Sequence, residues 1–171
     1  SDGKAESAAG TVILKLINPG TGAIIRASLT HAGGQADAPS FAPFTGLGIS
    51  ADGRQVAFPS LAALVPEDVD EPARHDIYLR DWIGQVTMLA SAGLTTGNAY
   101  RCALSGDGRW LVYFTSQGNR ILLADLSTGQ ERQVTALTGI PDMPAISYDG
   151  SRVAYAKDGA KPANSEGLDF F

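Results

Sequence analysis

The sequence predicts an all-β chain assembled from repeated four-stranded antiparallel units. Three observations carry that prediction. A Ser-x-Asp-Gly turn recurs three times, in "ISADGRQVAF" from Ile49, "LSGDGRWLVYF" from Leu104 and "ISYDGSRVAY" from Ile146. Every copy follows a short apolar segment and precedes an alternating one, and both patterns read as strands. The composition, 44% hydrophobic but only 8% aromatic with 20 Gly and 9 Pro, favours turns over helices.

Taken in order, residues 1–10, "SDGKAESAAG", have no apolar core; they do not read as a signal peptide and are expected to form a mobile tail. "TVILKLINPGTGAIIRAS" from Thr11 is strand, Gly-containing turn, strand. The same element returns after each of the first two Ser-x-Asp-Gly hairpins, as "DIYLRDWIGQVTMLAS" from Asp76 and "RILLADLSTGQERQVTAL" from Arg120. With the strands of one unit named A to D, C and D lie at 11–28, a full A-to-D unit at 46–91, another at 101–137, and A and B at 144–157. The chain therefore enters the repeat halfway through a unit. "GLDFF" at the end is a candidate start of one more C strand.

The turns have a physical mechanism. In Ser50-Ala51-Asp52-Gly53, Ser105-Gly106-Asp107-Gly108 and Ser147-Tyr148-Asp149-Gly150 the Ser and Asp oxygens accept backbone N–H groups across the bend, and Gly supplies the left-handed backbone. These residues are read as structural rather than catalytic. Asp52, Asp107 and Asp149 recur 55 and 42 residues apart, in the range of one propeller blade. Evenly spaced four-stranded meanders predict a β-propeller with about three blades' worth of strands, because a twisted sheet with two apolar faces is covered only by its neighbours.

Composition also excludes function classes. At 171 residues and 17.8 kDa the chain is long enough for one domain with a core. A formal charge of −5 and a pI near 4.9 argue against nucleic acid, whose binding needs a basic face. No run of about 18 apolar residues exists to span a membrane as a helix. The single Cys102 lies in "YRCALS" and reads as a small buried strand residue.

The stretch "ISADGRQVAFPSLAALVPEDVDEPARHDIYLRDWIGQVTMLAS" resembles the repeats of the TolB-like, WD-repeat-like propellers of bacteria, and "GGQADAPSFAPFTGLGISADG" is similar to that family's linkers. The likeness covers most of residues 11–157. It implies a propeller scaffold, commonly six-bladed, in a periplasmic, secreted or cell-surface protein that binds proteins, peptides or polysaccharides. It implies no reaction, because function resides in sites carried by a fold.

Candidate sites are few. The longer gap between the first two turns holds Glu67, Asp68, Asp70, Glu71 and Asp76. Alternating carboxylates followed by a later one suit a hard cation such as Ca²⁺, and Asp68, Asp70 and Asp76 occupy the places of a D-T-N-G-x-x-D segment in the resembled family. The segment is two residues longer here and has Pro72 in place of a turn Gly. The competing reading is a solvated acidic loop whose Asp76 caps a strand. His31 and His75 sit in no catalytic pattern, and no G-x-S-x-G elbow occurs. Trp82, at the turn after a C strand and aligned with Leu126 and Asn18, is expected either to pack under that turn or to meet a partner.

Three units do not close a ring, and an open arc exposes two blade faces and two strand edges. Three outcomes cover them: further blades of a longer chain, an unusual closed form of the 171 residues, or, as the half-unit offset suggests, a homodimer completing a six-bladed ring. The leading functional reading is a non-enzymatic binding or scaffold module. The alternative is a hydrolase or lyase, or an accessory domain of one, with its site in the funnel of the assembled ring.

Overall fold

The computed structural model describes residues 14–40, 46–69, 74–94, 96–134 and 141–157. Among them are twelve β-strands and no helix. β1 (Lys15–Ile17) and β2 (Ile24–Arg26) form a hairpin. β3 (Gly48–Ile49), β4 (Gln55–Ser60), β5 (Asp76–Asp81) and β6 (Val86–Leu89) form a four-stranded antiparallel meander. A second meander comprises β7 (Ala99–Leu104), β8 (Trp110–Thr115), β9 (Arg120–Asp125) and β10 (Gln130–Gln133). β11 (Pro141–Ile146) and β12 (Val153–Lys157) form a last hairpin. Two whole blades thus lie between a C–D half and an A–B half. Residues 1–13, 41–45, 70–73, 95, 135–140 and 158–171, which include the expected N-terminal tail and the "GLDFF" segment, lie outside the described residues.

The blades repeat residue for residue. β4 pairs with β5 from Gln55↔Asp81 to Ser60↔Asp76, and β8 pairs with β9 from Trp110↔Asp125 to Thr115↔Arg120. The sequence reads as alternating strands, yet nearly every residue of "VAFPS", "IYLR", "LVYFT" and "ILLAD" is buried. The reason is position: a blade in the middle of a stack has apolar neighbours on both faces.

Side chains sort by face. Val56, Phe58 and Tyr78 pack on Leu14 and Leu16 of the first hairpin. On the other side Ala57, Ile77 and Leu79 meet Leu111, Tyr113, Leu122 and Ala124 of the next blade. Val112, Ile121 and Leu123 then face Ile146, Val153 and Tyr155 of the last hairpin. Each fully buried large side chain, such as Phe58 or Leu123, contributes roughly 1.5–3 kcal/mol by leaving water.

The A strands are the crowded part. A Cβ on Gly48 would stand 2.6 Å from the Leu104 backbone nitrogen, and one on Gly46 would stand 2.8 Å from the Cys102 carbonyl oxygen. Two glycines therefore let β3 lie against β7 backbone to backbone. β7 and β11 each carry a bulge at the same repeat position, where Arg101 (φ 51°) and Met143 (φ 47°) turn left-handed. These bulges carry the A strands back to Ala99 and Pro141, ahead of the 101 and 144 expected from the alternation.

Replacing Gly48 with Ala forces atoms into this contact and is expected to cost about 1–3 kcal/mol of stability. Urea denaturation checks it: the midpoint falls while the slope stays constant.

Candidate functional site

The three Ser-x-Asp-Gly turns share one hydrogen-bond pattern. Ser50 Oγ donates to Asp52 Oδ1 (2.6 Å) and accepts from Gln55 N (2.9 Å), while Asp52 Oδ1 accepts from Arg54 N (2.9 Å). Ser105 and Asp107 hold Trp110 N (2.8 Å) and Arg109 N (3.0 Å) in the same way. Ser147 and Asp149 hold Arg152 N (3.0 Å) and Ser151 N (3.0 Å). Gly53, Gly108 and Gly150 adopt φ of 70°, 73° and 70°, which L side chains avoid. These donors hold all three carboxyls below the ordinary range, with the Ser hydroxyl the largest cause in each; the Asp149 carboxyl lies at about 2.

In the two whole blades the A–B turn is tied to the end of the C strand beside it. Arg54 Nη2 meets Asp81 Oδ2 at 2.6 Å, and Arg109 Nη2 meets Asp125 Oδ2 at 2.7 Å. The second oxygen of each Asp caps the C–D turn, accepting Gly84 N (2.8 Å) in one blade and Ser127 N (3.0 Å) in the next. Asn18 does the same for Gly20 N (2.9 Å) and Thr21 N (3.2 Å). Asn18 is thus the counterpart of Asp81 and Asp125, and Pro19, not Asn18, aligns with Trp82. The turns are also linked blade to blade: Ala51 N donates to the Gly106 carbonyl (2.9 Å), and Asp107 N to that of Tyr148 (3.3 Å).

Trp82 lies on this turn-bearing end. Its Nε1 donates to the Gly53 carbonyl (2.7 Å), so the ring packs on the A–B turn, yet 38% of the residue stays exposed beside Ile83, which is 60% exposed. A cavity of about 380 Å³ opens next to it, walled by Leu16, Ile17, Pro19 and Ile25 on one side and by Ile49, Ala51 and Gly53 on the other.

The described acidic residues of the longer loop face different partners. The Tyr78 hydroxyl donates to Asp68 and accepts from Leu64 N (3.4 Å), which pins the loop to the blade; burial, then Asp68, drive the phenol well above its usual range. Asp76 is buried at the start of β5, where it accepts from Ser91 Oγ (2.7 Å) and faces Arg74 Nε at 3.4 Å. Asp70 lies outside the described residues. Asp68 and Asp76 thus each face a proton donor of the protein, Tyr78 for the first and Ser91 with Arg74 for the second. Among the described residues no three His, Cys, Asp or Glu side chains converge to hold a metal ion.

The remaining reactive side chains stand apart. His31 Nδ1 lies 3.2 Å from the Thr87 carbonyl, whereas the His75 ring packs on Tyr100 at 5.2 Å and burial lowers its pKa. Cys102 is a buried free thiol, pushed up to about 12 by desolvation. Loop pinning by Tyr78 and capping by Asn18 were not found by sequence reasoning. The turn "INPGTG" held the signal for the second, since Asn readily caps such a turn.

Stacked four-stranded meanders whose A strands touch and whose turns are bonded blade to blade define a β-propeller, here in three blades' worth of strands. Among solved structures the chain is similar to TolB from Acinetobacter baumannii, with a TM-score of 0.59 and 15% identity, over 90% of this chain and 33% of that one. It is equally similar to the tricorn protease, with a TM-score of 0.59 and 13% identity, over 93% of this chain and 14% of that one. The TolB-like resemblance of the repeats is thus matched in the fold, and the chain spans about a third of TolB. No family model and no curated protein matches the sequence.

Two outcomes follow for the turns. Ser105→Ala strands the Trp110 N–H inside the stack and is expected to cost about 1–2 kcal/mol, whereas Ser147→Ala, in the more exposed last hairpin, costs less; thermal melts of the two variants check the order. Asp52, Asp81, Asp107, Asp125 and Asp149 all have depressed folded-state pKa values. Each takes up a proton more readily unfolded, near about 3.9, so its contribution is complete above that pH and is lost as pH falls toward the folded value. The melting temperature should be level from neutral pH to about 5 and fall steeply between about 4 and 2.

Proposed function

We propose that the chain is a non-enzymatic propeller module that binds a protein, peptide or polysaccharide partner on the face carrying its A–B and C–D turns. The observation that carries this reading is Trp82, an aromatic ring fixed by its bond to Gly53 while its edge stays open beside Ile83. An immobilised, partly exposed Trp loses little freedom when a partner covers it, and such residues anchor interfaces.

Charge supports the same reading. The carboxylates with displaced pKa values serve turns and blade cross-links through Ser, Arg and backbone N–H groups, and the two histidines contact different elements. An exported setting, in the periplasm or at the cell surface, rests on the TolB-like resemblance.

Glycan and peptide arrays test the proposal. Binding to one class of ligand is expected, and Trp82→Ala should weaken it by about tenfold or more while the melting temperature stays close to that of the parent. Sustained cleavage of chromogenic peptides or polysaccharides by the purified chain would replace this reading with the enzymatic one.

A further inference from the structure

We infer that β12 of one copy of this chain pairs with β1 of a second copy, so that two chains close a six-bladed ring through two shared blades. This goes beyond the binding reading and does not depend on it. The repeat itself supplies the argument, because each position can be compared in a covered blade and at an uncovered end.

Among the described residues the uncovered end is the first hairpin and the turn beside it. Arg80 and Ala124 occupy one position of the C strand and are 4% and 2% exposed, each facing the preceding layer; Ile17, at the same position, is 59% exposed. Leu104 ends its A strand 7% exposed against Gly48, while Ile49 at the same place is 52% exposed. A Cβ on Gly108 would strike Gln55, and one on Gly150 would strike Trp110, each the first B-strand residue of the layer before. Gly53 has nothing within 4 Å among the described residues. Gly53, Ile17 and Ile49 all line the 380 Å³ cavity.

The last hairpin carries the matching half. Its Arg152 is the counterpart of Gln55 and Trp110, so a second copy's Arg152 would come to rest over Gly53. Ala57 and Val112, in the middle of their B strands, are 0% exposed, whereas Ala154 at that position is exposed. Carrying the B–C register of the two whole blades to this junction sets Val153 opposite Ile17 and Ala154 opposite Leu16. Leu16 already packs toward β4, the side to which Ala154 would turn.

The charges identify the occupant. In both whole blades an Arg after the turn Gly meets an Asp at the end of the C strand. The last hairpin has Ser151 in the Arg place, and the first has Asn18 in the Asp place. Joined to a unit with the usual Arg, Asn18 would leave that Arg without its carboxylate; joined to Ser151 it leaves no charge unmatched. The two halves suit each other better than either suits a standard blade. A two-fold axis makes both junctions alike and pairs both open edges.

Light scattering of the 171-residue chain should return twice its 17.8 kDa mass. Under oxidising conditions the double variant Ile17→Cys, Val153→Cys should run as a covalent dimer on a non-reducing gel, since directly opposite residues of paired strands are within disulfide reach. Ile49→Asp, at an exposed position, should release folded monomers with an unchanged circular dichroism spectrum. A stable monomer of the parent chain, as expected if other blades of a longer protein cover these faces, would overturn the inference. So would larger open assemblies, or a dimer that the cysteine pair fails to lock. None of these readouts depends on the array experiment, so either proposal can fail alone.

Discussion

The structure depends on one constraint: a four-stranded blade that is apolar on both faces must be covered on both. Phe58 and Tyr78 on one side of a blade, and Ile77 and Leu79 on the other, have no exposed surface left. Every later feature serves that stacking. Glycines at 46 and 48 bring A strands into backbone contact, and the bulges at Arg101 and Met143 bend the inner strand within the crowded region. Exposure rises at Ile17 and Ile49, which no other described blade covers.

Around this apolar stack runs a polar frame that repeats with it. Ser and Asp close each A–B turn, Arg crosses to an Asp at the end of the C strand, and that Asp caps the next turn. The individual bonds are modest, as the side chains of Arg54 and Arg109 are about half exposed and water screens exposed ion pairs. Their value is geometric: they hold the two turns of a blade in one plane, and the Ala51–Gly106 and Asp107–Tyr148 bonds continue that plane to the next blade.

That frame explains why one end of the molecule is the functional candidate. The turns are rigid, and Trp82 is bonded to one of them while part of its ring remains in solvent. At the loop end of the same blade the acidic segment is anchored through Tyr78 and Asp68, and Asp76 is committed to Ser91 and Arg74. Carboxylates that look available in a linear sequence are thus occupied in space.

The sequence by itself determined what is local. Ser50, Asp52 and Gly53, with their two sets of counterparts, specify a turn within a few residues, and their spacing reveals the blade, the half-unit offset and the TolB-like likeness. Trp82 was legible as a turn residue for the same reason. Only the tertiary structure decided what depends on neighbours distant in the chain. Alternation cannot show that "VAFPS" is buried on both faces, because the second face is covered by another blade. The spacing of Asp68 and Asp76 cannot show that a tyrosine and an arginine already hold them. Nor can the string "INPGTG" show that Asn18 stands where the whole blades have Asp81 and Asp125, since that equivalence is set by which backbone N–H groups its side chain caps.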